Sequence, residues 1–182
     1  MIMIKAVGFT LIELMIAITV MALMMFIALP NFSIWIQNTQ IRTAGEGILN
    51  GLQLARAEAI RRNANIELRM DTASGWTVSV ASTGEVIQSR LPGEGTATAL
   101  VTIAPVGTTK ITFNGFGSIA NNADGTATIT EIKIDSASIA AADSRELCVL
   151  VRTGGNVRLC DPQVFTPDTR TCGGPPPPVG CQ

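Results

Sequence analysis

The amino-acid sequence predicts an α+β protein in which one long N-terminal helix precedes an antiparallel, all-β head. An apolar run over residues 9–30 predicts a membrane-spanning first half of the helix, and a helical spacing of apolar residues predicts an amphipathic second half at 31–63. Alternation of apolar and polar residues then predicts a β-rich head at 64–162. Residues 163–182 are a Pro-rich tail that carries two of the four cysteines, so we expect disulfide bonds to hold it.

The apolar run begins at Phe9 and is long enough to cross a bilayer, since about 20 apolar helical residues span the hydrocarbon. A secretory signal peptide is the alternative, but its apolar core is usually shorter and ends at a small residue. Here the small residue, Gly8, precedes the run, so that cleavage after it would leave the helix on the mature protein. Pro30 is predicted to break or bend the helix near the membrane boundary.

Glu13 places a carboxylate inside the apolar run, at a cost of about 2.5–3.5 kcal/mol on insertion scales unless the charge is paired. No Lys or Arg lies within one helical turn of it. Cleavage after Gly8 would create the nearest cation, the α-amino group of Phe9. If a neighbouring copy supplies that amine, Glu13 sets the register of an assembly. The alternative is a lone charge tolerated near the membrane edge.

The second half of the helix has one apolar face. Its residues recur at intervals of three or four: Ile41, Ala44, Ile48, Leu52, Ala55 and Ala59. Glycines at 45, 47 and 51 weaken a helix by up to about 1 kcal/mol each relative to alanine. This stretch therefore needs support, which we expect the following sheet to provide.

Beyond residue 63 the apolar period changes from a helical one to two. The clearest alternating runs are Ile66–Met70, Trp76–Val80 and Thr128–Ile134, with glycines at turn-like intervals between the runs. Such runs predict half-buried antiparallel strands.

The composition argues against several classes of function. With 13 basic and 14 acidic residues the net charge is −1, so the chain as a whole does not attract nucleic acid or anionic lipid. Histidine, the commonest general base and metal ligand, is absent from the sequence. No Gly-rich phosphate loop stands between a predicted strand and a predicted helix. We expect no enzymatic activity, no metal and no cofactor.

The residues from Gly8 to Glu13, Gly-Phe-Thr-Leu-Ile-Glu, and the apolar run behind them resemble the class III signal of type IV pilins and type II secretion pseudopilins. The resemblance implies a prepilin leader at 1–8, its removal after Gly8 by prepilin peptidase, and N-methylation of Phe9. It also implies a role for Glu13 in filament assembly, and Pro30 matches the helix-loosening proline of such subunits. Leaders of this type usually carry more basic charge beside the glycine, where this chain has two apolar residues.

The head resembles the GspH/FimT family, which covers pseudopilin H and the FimT and FimU minor pilins. The resemblance rests on the helix end Leu54–Asn63 and on Gly75–Val78, Ile111–Gly117 and Gly154–Pro162, in the family's order. It implies a type IV pilin-like fold and a minor pilin or pseudopilin that helps to initiate or cap a type IV pilus or type II secretion pseudopilus. The implied partners are other pilins and an inner-membrane assembly platform. The implied location is the bacterial inner membrane, single-pass, with the head in the periplasm. We favour the pilus, because the last block resembles the FimU side.

Some FimT proteins are DNA receptors, so a pilus-tip receptor for natural transformation is the alternative function. The candidate contacts are Arg152, Arg158 and Arg170. Acidic residues interleave with these arginines, whereas binding to phosphates needs several uncompensated cations. The charge pattern therefore disfavours nucleic acid as a partner.

The four cysteines stand at positions 148, 160, 172 and 181 without a C-x-x-C pair, which favours disulfides over zinc. A two-residue turn at Gly154-Gly155 would place Cys148 and Cys160 on opposite faces of a hairpin and disfavour a bridge between them. A Cys160–Cys172 bridge is then expected, and the family resemblance implies the same pairing. A three-residue loop would instead place Cys148 directly opposite Cys160. Cys148 pairs with Cys181 or stays reduced, and the four prolines before Cys181 predict a polyproline II segment.

Overall fold

The computed structural model describes residues 8–173 and residue 181, without the side chains of residues 27–30. The predicted leader and the four consecutive prolines lie outside the described residues, apart from Gly8. The chain divides into two compact units, Met1–Ile36 and Gln37–Gln182. A single α-helix, α1 (Leu11–Arg62), contributes residues to both units.

In the first unit, the side chains from Phe9 to Phe26 are exposed. The Thr19 hydroxyl donates to the carbonyl oxygens of Met15 (3.0 Å) and Ile16 (2.8 Å), so the helix itself satisfies this polar group within the apolar run. Within the described residues, no single helix is both long and apolar enough for a membrane span. The parts 11–26 and 31–62 of α1 meet that requirement only together, as a bent pair.

In the second unit, α1 packs one face against the sheets. The residues of the predicted apolar face are all fully buried: Ile41, Ala44, Ile48, Leu52, Ala55 and Ala59. The structure therefore confirms the helical period over this stretch. They share one hydrophobic core with apolar side chains from both sheets.

Within the described residues, nine strands form two antiparallel sheets. In chain order the strands are β1 (Ile66–Met70), β2 (Trp76–Val80), β3 (Val86–Arg90), β4 (Ala99–Ala104), β5 (Lys110–Phe113), β6 (Ile119–Ala120), β7 (Glu131–Ser136), β8 (Leu147–Val151) and β9 (Val157–Cys160). The first sheet has the order β3-β2-β1-β5-β6 and the second the order β4-β7-β8-β9. The predicted α+β fold, a long helix followed by an antiparallel head, is confirmed.

Two of the predicted strands, β1 and β2, have the predicted bounds, whereas β7 begins three residues later than predicted. The reason is that the preceding residues join the two sheets. The Ile129 amide donates to the Lys110 carbonyl in the first sheet (3.1 Å), and the Thr130 amide donates to the Ala104 carbonyl in the second (3.0 Å). The apolar–polar alternation is interrupted at this crossing, where Thr130 and Glu131 are two successive polar residues between the buried Ile129 and Ile132.

The amide side chains of Asn38 and Gln40, near the start of the part of α1 that belongs to the second unit, bind loops of the head. Asn38 Nδ2 donates to the Asp143 carbonyl (3.0 Å), and its Oδ1 accepts from the Arg145 amide (2.8 Å). Gln40 Oε1 accepts from both the amide (3.0 Å) and the hydroxyl (2.7 Å) of Thr98. These contacts attach two loops to α1 and were missed by the sequence analysis, which followed the apolar residues.

The helix glycines provide room for the head rather than only weakening α1. A Cβ on Gly51 would lie 2.8 Å from Cε2 of the Trp76 ring, which is itself only 4% exposed. A Cβ on Gly47 would lie 1.5 Å from a guanidinium nitrogen of Arg90, which donates to the Thr43 carbonyl (3.3 Å). The side chains of β2 and β3 therefore rest on a helix surface that glycine alone leaves open.

We expect Gly51→Ala to lower the free energy of unfolding by about 1–2 kcal/mol. Overpacking against the rigid Trp76 ring costs about 1–3 kcal/mol, and the better helix propensity of alanine offsets at most about 1 kcal/mol of it. Urea unfolding of the full chain in detergent, followed by circular dichroism, measures the change. Asn50→Ala, at an exposed helix position, is the matched control and should be slightly stabilising. A stabilised Gly51→Ala variant would contradict the close helix–ring contact.

Candidate assembly sites at the helix start and on the disulfide-bonded sheet

The predicted cleavage site lies in the non-helical residues that precede α1. Gly8, Phe9 and Thr10 are exposed, and a Cβ on Gly8 would have no atom within 4 Å. A peptidase must bind its substrate in an extended form, so a bond outside the helix is accessible without unwinding. The geometry is compatible with cleavage after Gly8, which stays a prediction.

Thr10 caps the helix, and Glu13 lies in its first turn. Thr10 Oγ1 accepts from the Glu13 amide (3.3 Å), so it satisfies one of the amides that every helix start leaves unpaired. The Thr-x-x-Glu spacing is the sequence signature of a capping box, which the sequence analysis did not recognise. A carboxylate in the first turn also interacts favourably with the helix dipole.

The Glu13 carboxylate is exposed and makes no ion pair among the residues that the structure describes. Its predicted partner is an α-amino group on another subunit, which a single chain does not contain. The cap and the helix dipole lower the cost of this charge, yet its oxygens keep their full capacity to accept hydrogen bonds. The exposed carboxylate is compatible with a partner on another subunit, and the role of Glu13 in filament assembly stays a prediction.

Three of the four sequence blocks that carry the family resemblance meet at Gly117. Arg56 Nε, from the helix block, donates to the Gly117 carbonyl (2.9 Å). Gly155, from the last block, lies so close that a Cβ on it would be 1.9 Å from the same oxygen. Gly155 also has a φ of +77°, which favours glycine. The blocks are thus one packing arrangement that ties α1 to the turns of both sheets.

Strand β8 is buried on both faces. Val149 and Val151 belong to the main core, whereas Cys148 and Leu150 belong to a second cluster on the other face of the sheet. The other members of that cluster are the remaining cysteines, Cys160, Cys172 and Cys181. The continuous apolar run of β8 is the sequence signal for burial on both faces.

The predicted two-residue turn at Gly154-Gly155 is wrong. The Arg152 amide donates to the Asn156 carbonyl (2.9 Å), which leaves a three-residue loop. Its last residue, Gly155, takes the left-handed conformation that such loops require, so one glycine satisfies the turn. The register shifts by one residue, and Cys148 lies directly opposite Cys160 on the same face.

The two facing cysteines bridge to the tail and not to each other. Cys160 pairs with Cys172 (Cα–Cα 5.0 Å), and Cys148 pairs with Cys181 (Cα–Cα 5.6 Å). The Cys181 amide also donates to Glu131 Oε1 (3.0 Å), on the strand next to β8. Two covalent links therefore hold the described tail residues against the outer face of the second sheet.

The arginines proposed as DNA contacts are mostly used inside the chain. Arg158 donates to the carbonyl of Thr169 (2.8 Å) and to that of Thr171, which fastens the segment between the paired cysteines. Arg170 forms an ion pair with Asp168 (2.8 Å), and hydrogen bonds from Arg170 lower the pKa of that carboxyl to about 2. Arg152 is exposed on the hairpin loop. Of these three arginines, Arg170 alone has a carboxylate partner among the described residues, whereas the neutral carbonyls bound by Arg158 leave its charge in place, and DNA binding stays an alternative prediction.

Among residues 8–173 and 181, no cluster of three or more Cys, Asp or Glu side chains has the geometry of a metal site. All four cysteines are engaged in disulfides.

Residues 44–155, more than half of the chain, match the family described as "Type II transport protein GspH". The match ends at the hairpin loop, so that the N-terminal motif and the disulfide-bonded tail lie outside it. No curated protein matches the chain significantly.

Two solved structures resemble about two thirds of this chain. Both are crystal structures of the type IV minor pilin FimU of Pseudomonas aeruginosa (strain PAO1). One is 18% identical in sequence, with a TM-score of 0.52, and the similarity covers 69% of this chain and 94% of that one. The other crystal form is 16% identical, with a TM-score of 0.49 and a coverage of 67% and 97%. At this identity the first similarity shows a shared fold.

Proposed function

This chain belongs to the GspH family, and on that premise we propose that it helps to initiate or cap a filament of pilin-like subunits. Its family and fold are those of a minor pilin or pseudopilin, a membrane-anchored subunit of a type IV pilus or type II secretion filament. Pilins of this kind are structural subunits, so we assign no reaction to the chain. Other pilins in the filament are its partners.

The observation that carries the proposal is the start of α1. An exposed Gly8–Phe9 bond precedes a capped helix with exposed apolar side chains as far as Phe26. We infer a single pass through the bacterial inner membrane with the head in the periplasm. Prepilin peptidase would then cut after Gly8, and the new amino group of Phe9 would be methylated. The assembly platform of the inner membrane would extract the subunit.

The exposed Glu13 carboxylate supports a specific docking step. In the membrane, a carboxylate and an amine from neighbouring subunits would neutralise each other where charges are poorly solvated. Pairing across subunits would set the axial register of the new helix against the growing bundle. The apolar side chains between 14 and 26 would supply contact area, and the single ion pair would supply the register.

Of the two filaments, the type IV pilus and the type II secretion pseudopilus, we favour the pilus. The FimU structure that shares the fold is named as a type IV minor pilin. The Gly154–Pro162 block with its following cysteine resembles the FimU side of the family. Genes adjacent to the one encoding this chain would separate minor-pilin from secretion clusters.

We expect the mature protein to begin at Phe9 and to carry one methyl group on its amino terminus. Mass analysis of the chain purified from cells that contain prepilin peptidase measures both. Gly8→Val should leave the precursor uncut, because a branched side chain would then replace the glycine that the class III signal has in front of the scissile bond. The matched control is Ala6→Val, which introduces the same side chain two residues earlier. A wild-type chain that begins near Asn31 would make this an ordinary secreted protein and refute the proposal.

A further inference from the structure

An aromatic pair follows the apolar part of α1. Phe32 and Trp35 stack with ring centroids 5.8 Å apart and 25° between the ring planes. Both are well exposed, at 57% and 62%. Neither ring belongs to the hydrophobic core of the head, so their exposed surface needs an explanation of its own.

The pair lies within a long stretch without charge. No charged residue occurs between Glu13 and Arg42. Phe32 and Trp35 follow Glu13 by nineteen and twenty-two residues, which at 1.5 Å per residue is about 29 Å and 33 Å along the helix. The hydrocarbon core of a bilayer is about 30 Å thick. With Glu13 at one edge of the hydrocarbon, the aromatic pair therefore falls at the other edge.

We propose that Phe32 and Trp35 are an interfacial anchor that binds the headgroup region of the bilayer while the subunit awaits assembly. This inference rests on the proposed membrane anchoring. Tryptophan favours that region because its ring is apolar and its N–H is polar. The exposed neighbours Asn31 and Ser33 are polar without charge, so they suit a hydrated headgroup layer better than hydrocarbon. The anchor sets how deep α1 lies, and thereby the depth at which Glu13 meets a partner.

The two tryptophans of the chain allow a direct test. Trp35 is exposed, whereas Trp76 is buried in the head against Gly51. The full chain is reconstituted into phosphatidylethanolamine–phosphatidylglycerol vesicles whose acyl chains carry bromine, a contact quencher, either near the headgroup or near the chain ends. Trp76→Phe leaves Trp35 as the reporter, and Trp35→Phe leaves Trp76 as the control. The wild-type signal minus that of Trp35→Phe reports Trp35 again, independently of how well Trp76→Phe folds.

We expect bromine near the headgroup to quench Trp35 about twofold more strongly than bromine near the chain ends, and neither to quench Trp76 appreciably. Stronger quenching from the chain ends would overturn the inference, because the ring would then lie in hydrocarbon. Absence of quenching in chains that float with the vesicles would also overturn it, since protein would then cover the pair. Chains that fail to float would refute the membrane anchoring itself, and with it the inference.

Discussion

Glu13→Ala should reduce incorporation into filaments by about ten- to hundredfold without reducing membrane insertion. The lost contact is a charge-assisted hydrogen bond to the amino group of a neighbour, which contributes about 1.5–3 kcal/mol, and each 1.4 kcal/mol is a factor of about ten. Insertion should be unchanged or improved, because a charge is removed from the apolar segment. Crosslinking to neighbouring subunits and immunoblots of sheared filaments measure incorporation, and membrane fractionation measures insertion.

Two further variants separate the carboxylate from the helix start. Glu13→Gln keeps the size of the side chain and removes the charge, so it should fail as Glu13→Ala does. Thr10→Ala removes the cap and keeps the carboxylate, and the expected cost is about 1 kcal/mol of helix stability with incorporation largely retained. If Thr10→Ala fails in the same way, Glu13 serves to start the helix and not to dock it. Unchanged crosslinking in Glu13→Ala would refute the register function.

The fold could be predicted because its main signals are local. The buried face of α1 follows from one helical period, and β1 and β2 follow from strict alternation, so that neighbouring residues were enough to find them. The bounds of β7 were missed because residues 129 and 130 bond to different sheets. The local signal of the crossing is the pair Thr130-Glu131, two successive polar residues that interrupt the alternation between the buried Ile129 and Ile132.

The candidate sites were less predictable, because they depend on contacts between distant segments. Helix propensity alone marks the glycines of α1 as weak points, whereas the room that they provide depends on a distant contact, that of the Trp76 ring with Gly51. The amide contacts of Asn38 join segments 105 and 107 residues apart in sequence. The capping box at Thr10 was the exception, since its spacing was available in the sequence and was overlooked.

The cysteines show how a pairing can be reached through a wrong register. The two-residue turn placed Cys148 and Cys160 on opposite faces, whereas the structure places them opposite each other on one face. A facing pair in an antiparallel ladder has Cα atoms about 4.5–5.5 Å apart, which a disulfide can span. The register therefore permits the Cys148–Cys160 bridge, and the tail, with Cys172 and Cys181, provides the partners that compete with it.

Loss of the Cys148–Cys181 bridge is the largest stability effect that we expect. In the chain-entropy description, a bridge that closes a longer loop constrains the unfolded chain more. The separations are 33 residues for Cys148–Cys181 and 12 for Cys160–Cys172. Replacing both cysteines of a pair by alanine should lower the free energy of unfolding by about 4 kcal/mol for the first bridge and about 3 kcal/mol for the second. Urea unfolding of the oxidised full chain in detergent measures both.

The order of the two effects tests the pairing as well as the mechanism. With reductant present, the wild type should lose the stabilisation of both bridges. It should then be less stable than either double variant under oxidising conditions, because each double variant keeps one bridge. Peptide mapping under non-reducing conditions identifies the links directly, and a Cys148–Cys160 peptide would contradict the observed connectivity. A larger loss for the Cys160–Cys172 pair would instead contradict the loop-length argument. Such a result would mean that the Cys160–Cys172 bridge stabilises the protein mainly by maintaining contacts in the folded state. The hydrogen bonds of Arg158 with Thr169 and Thr171 are examples of such contacts.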